Sequence, residues 1–419
     1  MRYFSPPEHI KHILDRLTDS GHAAFLVGGC VRDAVMGRAV HDWDVATSAA
    51  PADIAALFPK TVLTGERFGT VTVLAEAGPV EVTAFRVEGE YKDSRRPDSV
   101  EFVKTLDEDL GRRDFTMNAM AMSATHEIID PYGGLSDIKN CIIRCVGDPD
   151  KRFSEDALRM FRAFRFRAVL GFEIEKMTLS AIFNNAEKAK LISAERVRME
   201  LEKTLMSQKP ETAGEMIEAG LLARYITEPC KSPDRLEWIG ALPTEPALRW
   251  CAFCALLLEG RLISSAAGFL KNMRLDAKTL RICERALSIS GFPDERADIK
   301  RLMSAYGEDA VRCAAAVQDM MQARQGAERG AGQSAEQGAA PCLEVDPRFT
   351  PTLTITDEII KSGECYSLDK LAITGSDLIG LGFAPGHELG EMLAKLLTHV
   401  IDHPADNTRE TLLGAWDKS

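Results

Sequence analysis

The chain has 419 residues, of which 45% are hydrophobic and 27% are charged, and its formal net charge is −12. This length exceeds what one hydrophobic core can organise, so we expect several domains. No apolar run approaches the roughly 20 residues that a membrane-spanning helix needs, so the sequence predicts no membrane partner. Net acidity argues against a nucleic-acid partner unless basic residues cluster locally, because Lys and Arg bind phosphate.

The first 130 residues predict a mixed α/β domain. The N-terminal segment carries charges and two prolines where a secretory signal would be apolar, so we expect cytoplasmic residence. It then places Ile10, Ile13, Leu14 and Leu17 at helical spacing. From about residue 22, short β-branched runs such as AAFLVGG, FGTVTVLAE and VEVTAFRV alternate with helical stretches.

The sequence beyond about residue 150 predicts mainly helices. Apolar residues recur at helical spacing in SEDALRMFRAFRFRAVL and SAERVRMELEKTLMS, and we expect their first serines, Ser154 and Ser193, to be N-caps. Residues 322–343 are rich in Gly, Ala, Gln and Ser, so they predict a flexible linker or loop. Farther on, Gly and Pro separate two amphipathic helices in ITGSDLIGLGFAPGHELGEMLAKLL.

Ten cysteines lie mostly in apolar or helical segments, which favours small core residues over a disulfide framework in a reducing compartment. Cys251 and Cys254 form a CxxC pair. No second ligand pair lies nearby, so a zinc site is the weaker interpretation.

The strongest motif is LVGGCVRD, followed about ten residues later by HDWD. Gly28 and Gly29 let the backbone approach a ligand after a buried strand, and the next helix would direct free N–H groups at an anion. In an extended segment, Asp42 and Asp44 share one face about 6–7 Å apart, while Trp43 turns to the other. Two such carboxylates can hold Mg²⁺ for two-metal phosphoryl transfer. Each motif alone is usually structural, but the pair favours function.

A third carboxylate is expected from a neighbouring strand. Glu81 alternates with Val80 and Val82 in VEVT, so it faces the side opposite the core together with Thr83. Glu81 therefore faces either the metal site or solvent, and both interpretations stay open.

The motifs GGCVRD and DWD resemble those of the nucleotidyltransferase superfamily, whose head domain is shared with DNA polymerase β. Residues 112–119, RRDFTMNA, resemble the RRDFTxNA motif of class II tRNA nucleotidyltransferases and bacterial poly(A) polymerases. GSDL and the later PG resemble the terminal element of the compact type, and no HDxxK-like phosphohydrolase motif is found in the second half. A second hydrolase activity is therefore not expected.

The resemblance implies an α+β fold, with a polymerase-β-like nucleotidyltransferase head that contains a mixed sheet, followed by an all-helical neck, body and tail. The implied domains are a catalytic head at 1–140, a base-recognition neck at 141–205, a tRNA-binding body at 206–320, a flexible linker or loop at 321–345 and a tRNA-binding tail at 346–419.

The resemblance also implies roles for single residues. A guanidinium is a bidentate phosphate ligand, and Asp or Asn can bind ribose hydroxyls. Asp156 and Arg159 occupy the EDxxR positions that serve the family as an amino-acid template for the edges of C and A. The stripe spaced by three residues continues through Arg162 and Arg165, and Arg165 also suits a structural role. The catalytic candidates are Asp42, Asp44 and Glu81, with Asp42 and Asp44 as metal ligands. The nucleotide-binding candidates are Gly28, Gly29, Arg32, Arg113, Asp114, Asn118, Asp156, Arg159, Arg162 and Arg165.

The implied reaction is template-independent addition of CCA to the 3′ end of tRNA from CTP and ATP, with Mg²⁺ as cofactor and pyrophosphate released. The tRNA would be held at its acceptor and TΨC region, and no stable protein partner is evident. The charged segment 88–98 resembles a loop that CC-adding relatives lack in part, which favours addition of the terminal A. The open alternatives are an A-adding enzyme, a poly(A) polymerase, an inactive RNA-binding homologue and an interaction scaffold.

A local basic stretch supports an RNA partner despite the net acidity. Six arginines fall within about 40 residues and could face phosphate. They are Arg159, Arg162, Arg165, Arg167, Arg196 and Arg198. The RVRMELE segment that holds the last two resembles a family motif with a supporting role, and we assign it no chemistry.

Overall fold

The computed structural model describes residues 6–65, 69–88, 100–103, 105–228, 231–331 and 351–414. The chain divides into two compact units. The first unit comprises Met1–Thr204, Thr212–Arg224 and Pro229–Ser232, and the second comprises Leu205–Glu211, Tyr225–Glu228 and Pro233–Ser419. The predicted head and nearly all of the predicted neck fall in the first unit, whereas the predicted body is divided, since its residues 212–224 and 229–232 also belong to the first unit. The finer division into four domains stays a prediction.

The first unit is built on a mixed sheet. Its strands in chain order are β1 (Ala24–Val27), β2 (Asp44–Thr47), β3 (Thr61–Gly65), β4 (Thr70–Ala75), β5 (Gly78–Ala84), β6 (Arg86–Glu88), β7 (Val100–Phe102), β8 (Ala121–Met122), β9 (Ile128–Ile129), β10 (Ile142–Ile143) and β11 (Glu173–Ile174). Within the described residues, the main sheet has the order β3-β4-β5-β2-β1-β8-β9. Strands β2 and β5 pair in parallel. Every other pair of neighbouring strands in this sheet is antiparallel. The expectation of a polymerase-β-like head with a mixed sheet is confirmed.

The helices of the first unit cover this sheet and extend beyond it. They are α1 (Glu8–Asp19), α2 (Gly29–Val35), α3 (Pro51–Leu57), α4 (Leu106–Gly111), α5 (Gly134–Lys139), α6 (Pro149–Glu155), α7 (Leu158–Leu170), α8 (Lys176–Asn185), α9 (Ala194–Leu205) and α10 (Thr212–Glu218). The apolar residues predicted at helical spacing in α1 are buried with the valines of β4 and β5 in one core. Burial of this apolar surface is the main driving force for the fold.

Two details of the predicted neck were wrong. The neck is not entirely helical, because β10 and β11 form a short parallel pair. The predicted helix over residues 154–170 is broken, since Ser154 lies inside α6 and Asp156 ends that helix with φ −141° and ψ 103°. Helix α7 starts again at Leu158. Asp156 is therefore not on the same helix as Arg159, although the three-residue spacing suggested one stripe.

The second unit is helical within the described residues. Its helices are α11 (Pro246–Glu259), α12 (Ala266–Asn272), α13 (Ala277–Ser288), α14 (Arg296–Tyr306), α15 (Glu308–Ala331), α16 (Pro351–Ser362), α17 (Gly375–Gly380), α18 (His387–Asp402) and α19 (Arg409–Gly414). The GSDL motif begins α17, where Asp377 and Thr374 form a capping box. The two helices predicted around the Gly-Pro segment are therefore confirmed as α17 and α18.

The first part of the predicted linker is helical. Residues 321–331 of the predicted segment 321–345 continue α15, and residues 332–345 lie outside the described part of the chain. Most of the loop predicted at 88–98 also lies outside it. No helix among the described residues is long and apolar enough to cross a bilayer.

The described cysteines of the second unit are buried core residues, as the sequence predicted. Cys251 and Cys254 on α11 are fully buried, and Cys283 on α13 and Cys313 on α15 pack near them as free thiols. The thiols of Cys283 and Cys313, together with burial, raise the pKa of Cys251, so the group stays protonated at neutral pH.

Candidate active site

A cleft of about 360 Å³ in the first unit gathers most of the predicted site residues. Its floor is the turn between β1 and α2, where Gly28 has φ +75°. A side chain rarely adopts this conformation, which explains why glycine follows the strand. The cleft is lined by Gly28, Gly29, Cys30, Arg32, Asp33, Ala39, His41, Asp42, Asp44, Arg113, Asp114, Asn118, Arg162, Arg165 and Phe166.

One side of the cleft carries the predicted carboxylates. Asp44 starts β2, Asp42 precedes it, and both line the cleft. Trp43 between them packs against the sheet core, as the alternation predicted. Glu81 lies directly beside Asp44 in the parallel β2–β5 register, but its exposed side chain is not part of the cleft lining. The register therefore supports a role for Glu81 without deciding between the metal and solvent.

The charge of Asp44 is incompletely balanced. Burial raises the pKa of Asp44, the guanidinium of Arg113 opposes this shift, and the negative charges of Glu81 and Asp42 raise the pKa further. Because the net direction is upward, the site disfavours the ionised carboxylate and would gain from added positive charge. A bound cation would therefore offset the negative charge of this side of the cleft.

The donor set of the carboxylate side suits a divalent cation that is also held by its substrate. No group of three or more His, Cys, Asp or Glu side chains among the described residues is arranged to hold a metal ion. Asp42 and Asp44 alone offer only carboxylate oxygens. Magnesium is commonly bound by one or two carboxylates together with phosphate oxygens, so these two residues fit a shared site.

The opposite side of the cleft is organised around Asp114, which is buried. Its Oδ1 accepts hydrogen bonds from Phe115 N at 2.8 Å and from Asn118 Nδ2 at 3.0 Å. Its Oδ2 accepts from Arg162 Nε at 2.7 Å. Burial alone would raise the pKa of Asp114, but the charge of Arg162 and these hydrogen bonds lower it well below the ordinary value. Asp114 is therefore ionised, and both of its carboxylate oxygens accept hydrogen bonds.

Arg162 and Arg165 both line the cleft, and each has an acidic partner. Arg162 pairs with Asp114, and Arg165 Nε donates to Glu200 Oε2 at 2.5 Å. Burial disfavours the charge of Arg162, but Asp114 and Glu200 raise its pKa. Burial lowers the pKa of Arg165, and Glu200 only partly offsets this. Arg165 is predicted to contact the nucleotide and also to have a structural role. Its position agrees with both roles, since this residue lines the cleft and joins α7 to α9.

Arg32 and Arg113 complete the cationic lining. Arg32 Nη1 donates to Asn118 Oδ1 at 2.7 Å, and its other atoms bind Asp33. Arg113 lies against the turn so closely that a Cβ on Gly28 would be 2.8 Å from its Nη1. Its Nη2 donates to Asp109 Oδ2 at 3.2 Å. Arg113 therefore occupies the space that a side chain at position 28 would fill.

The predicted base-recognition pair does not line the cleft. Asp156 accepts from Leu158 N at 3.0 Å and from Arg196 Nη2 at 2.7 Å. Arg159 is buried and donates to Glu155 at 2.8 Å and to the carbonyl oxygen of Arg112 at 2.9 Å. The template role of Asp156 and Arg159 stays a prediction, and it requires Arg159 to exchange partners before it can meet a base.

The basic stretch is not a free cationic surface. Arg167 pairs with Glu173 and Glu215, and Arg198 pairs with Glu202. The other four arginines also have carboxylate partners within the first unit. Of the six, only Arg162 and Arg165 line the cleft, and contact of the basic stretch with tRNA phosphate stays a prediction.

Sequence reasoning missed several residues that hold this site. Asp109 is fully buried and binds both Arg112 and Arg113. Glu200 and Arg196 connect α9 to Arg165 and to Asp156. The available signal for Asp109 was its position three and four residues before Arg112 and Arg113, the spacing at which helical side chains meet. The RVRMELE segment, which contains Arg196 and Glu200, is predicted to have a supporting role. Its contacts agree with that prediction.

Comparison with known proteins places this geometry in a family. The model of the poly A polymerase head domain matches residues 24–144, and a model described as "Probable RNA and SrmB- binding site of polymerase A" matches residues 171–228. A model of the second domain of tRNA nucleotidyltransferases matches residues 343–415. The three matches follow the chain in order.

Relatives extend over almost the whole chain. The CCA-adding enzyme of Limosilactobacillus fermentum is 36% identical over 97% of this chain and 96% of its own length. That of Latilactobacillus sakei subsp. sakei is 37% identical over 96% of each. The crystal structure of the Bacillus stearothermophilus CCA-adding enzyme in complex with CTP has a TM-score of 0.73 at 31% identity, covering 96% of this chain and 94% of that one. With this identity sustained from end to end, the chain belongs to the family of CCA-adding enzymes, which are tRNA nucleotidyltransferases.

Proposed function

We propose that this protein adds CCA to the 3′ end of tRNA from CTP and ATP and releases pyrophosphate at each step. The observation that carries the proposal is the single cleft that combines Asp42 and Asp44 with the guanidinium groups of Arg113, Arg162 and Arg165. Phosphoryl transfer needs this combination, because negative charge develops on the triphosphate while a hydroxyl oxygen attacks it. End-to-end similarity to CCA-adding enzymes supports tRNA as the acceptor.

In the proposed reaction, the 3′-hydroxyl oxygen of tRNA forms a bond to the α-phosphorus, and the bond from that phosphorus to the pyrophosphate oxygen breaks. Asp42 and Asp44 would hold Mg²⁺, which lowers the pKa of the hydroxyl and neutralises charge on the triphosphate. Arg162 and Arg165 bind phosphate oxygens from the opposite side. Since both arginines are already fixed by carboxylates, little reorganisation is needed when the nucleotide arrives.

Base selection is proposed for Asp156 and Arg159. The carboxylate of Asp156 can accept an exocyclic amine in addition to its present donors, because it has about four lone-pair positions. Arg159 would release Glu155 to donate to the base acceptor beside that amine. C and A both present this amine-and-acceptor pattern, whereas G and U present the opposite one. Since relatives are bacterial enzymes named for CCA addition, we place the activity in the cytoplasm with the tRNA.

The proposal is tested with three tRNA transcripts that end before CCA, after C and after CC. The purified protein is incubated with Mg²⁺ and labelled CTP or ATP, and the Asp42→Ala/Asp44→Ala variant is the control. We expect sequential addition of C, C and A that stops there and vanishes in the variant. Addition of A alone to the CC end would indicate an A-adding enzyme, long A tails a poly(A) polymerase, and no incorporation would refute the enzyme assignment.

A second experiment addresses base selection. Asp156→Ala and Arg159→Ala are expected to lose discrimination, so the ratio of CTP to UTP incorporation should fall by at least about tenfold, which is the worth of one bidentate pair. The matched control is Arg167→Ala, which removes an arginine of the same helix that lies outside the cleft and pairs with Glu173 and Glu215. Unchanged discrimination in both the Asp156→Ala and the Arg159→Ala variants would refute the template role.

A further inference from the structure

Three guanidinium groups of the cleft share one aromatic ring. The Cζ atoms of Arg32, Arg162 and Arg165 lie 5.1, 5.4 and 3.9 Å from the centre of the Phe166 ring. Each distance is within the roughly 6 Å over which a cation is attracted to the face of an aromatic ring. Phe166 itself lines the cleft with these arginines.

Holding three like charges around one point is unfavourable unless something offsets their repulsion. Each arginine has an acidic partner that balances part of its charge: Asp33 binds Arg32, Asp114 binds Arg162, and Glu200 binds Arg165. Glu200 also lies 4.0 Å from Nη1 of Arg162, so the carboxylates link two of the three groups. Phe166 is in ring contact with all three, and the negative face of its ring attracts each of them.

The ring is itself fixed. Phe166 is only 4% exposed, and it meets Phe115 edge to face with ring centres 5.8 Å apart at 86°. Phe115 is fully buried at the start of the 116–118 turn that carries Asn118. So little exposed surface leaves no room for a nucleotide base to stack on Phe166. The ring can therefore act on a ligand only through the arginines around it.

We propose that Phe166 is a positioning residue, whose ring holds Arg32, Arg162 and Arg165 together as one binding site for the polyphosphate of the incoming nucleotide. This inference rests on the proposed function and adds a residue to it. Without the ring, the ring contact common to the three arginines is lost, and the groups converge less closely on the phosphates. Since CTP and ATP share the same polyphosphate, both should depend on Phe166 equally.

The test replaces Phe166 with 4-fluoro-, 3,5-difluoro- and 3,4,5-trifluorophenylalanine in the full-length protein. Fluorine withdraws charge from the ring face and changes the shape very little, so the series weakens cation binding stepwise. Equilibrium binding of CTP and of ATP is measured with Mg²⁺ and without tRNA. We expect the affinity to fall at each step, to about a tenth for the trifluoro ring, with the KM for both nucleotides rising in parallel and kcat changing less.

The matched control is the same series at Phe164, which lies two residues earlier on α7 and is equally buried. In the described part of the chain, no guanidinium is stacked on that ring. Fluorination there should leave affinity unchanged. A Phe166→Leu variant, which keeps apolar volume but has no ring, should bind nucleotide at least as weakly as the trifluoro protein, and its unfolding temperature reports whether the fold survives.

The outcomes separate this inference from the proposed function. If the unmodified protein adds CCA and affinity is flat across the Phe166 series, or falls as much in the Phe164 series, the positioning role is overturned while the function stands. A graded affinity in a protein that adds no nucleotide to tRNA would support the positioning role and refute the function. Failure of the unmodified protein to bind CTP or ATP would refute both.

Discussion

The two sides of the cleft differ in how their charges are balanced. On the arginine side, Arg162 and Arg165 are each paired with a carboxylate, and Asp114 accepts hydrogen bonds through both oxygens. On the carboxylate side, Asp44 has two acidic neighbours and a raised pKa. The first side contributes to the stability of the fold, whereas the second is left with charge that a ligand must neutralise.

This difference predicts which substitutions in the cleft change activity alone and which also change stability. A side chain that is stabilised by the fold cannot be removed without cost, whereas one that the fold destabilises can be removed at no cost to folding. Substitutions on the carboxylate side should therefore remove activity alone. Substitutions on the arginine side should remove stability as well.

The largest expected effect is that of Asp44→Asn, which should reduce nucleotide addition at least about a thousandfold because the metal loses a charged ligand. The same variant should unfold at an equal or higher temperature. A folded-state pKa above the unfolded value means that the ionised carboxylate costs stability near neutral pH, and asparagine removes that cost. Single-turnover addition to tRNA and thermal unfolding without metal measure the two quantities.

Glu81→Gln is the matched comparison for Asp44→Asn, since Glu81 occupies the adjacent position in the next strand. A comparable loss of activity would make Glu81 a third catalytic carboxylate. Activity close to that of the unmodified protein would instead assign Glu81 to solvent. A stable, substantially active Asp44→Asn protein would contradict the assignment of the carboxylate side altogether.

On the arginine side, Asp114→Asn should lower the free energy of unfolding by about 2–3 kcal/mol at pH 7, because Arg162 loses its main buried partner and keeps only the longer 4.0 Å contact with Glu200. The pKa of Asp114 is lowered in the folded protein, so its contribution is present above the ordinary value near 4 and is lost as pH falls through the lower folded value. The deficit of the variant should therefore shrink in acid. Urea unfolding of both proteins at pH 7 and near pH 3 measures it.

Asp33→Asn serves as the control for this comparison, because Asp33 also pairs with an arginine of the cleft but is more exposed. Its cost should be no more than about 1 kcal/mol, as for other solvent-accessible ion pairs. An equal cost for Asp33→Asn and Asp114→Asn would show that burial of the pair does not set stability here.

The carboxylate side was predictable because local sequence encodes it. The Gly28 turn and the alternation of Asp42, Trp43 and Asp44 each follow from the geometry of a few adjacent residues. The motif RRDFTMNA was identified by its resemblance to a family motif, which does not give its hydrogen bonds. Where one side chain meets its neighbours within the same short segment, pattern and structure agree.

The supporting residues of the arginine side could not be predicted, because they depend on contacts that are distant in sequence. Glu200 meets Arg165 across 35 positions, and Arg196 meets Asp156 across 40. The helix break at Asp156 has the same origin. Apolar periodicity continues through it, but the side chain of Asp156 binds Leu158 N and Arg196 instead of following the helix.

The smallest expected effect compares the two adjacent glycines. A Cβ on Gly28 would be 2.8 Å from Arg113 Nη1, whereas one on Gly29 would make an ordinary contact of 3.7 Å with Arg32 Nη2. Only Gly28 has a positive φ, so alanine there also strains the backbone by about 1–3 kcal/mol. We expect Gly28→Ala to reduce kcat/KM for CTP about tenfold, which corresponds to roughly 1.4 kcal/mol.

Gly29→Ala should leave kcat/KM within about twofold, because the position is helical and alanine is favoured there. The contrast is informative because the clash at Gly28 involves the flexible end of Arg113 and not the backbone. The fold can therefore relieve the clash by moving Arg113, so the cost in stability is the backbone strain alone, while a guanidinium is displaced from the cleft. If Gly28→Ala lowered stability yet left kcat/KM intact, Arg113 would be a structural residue that merely borders the site.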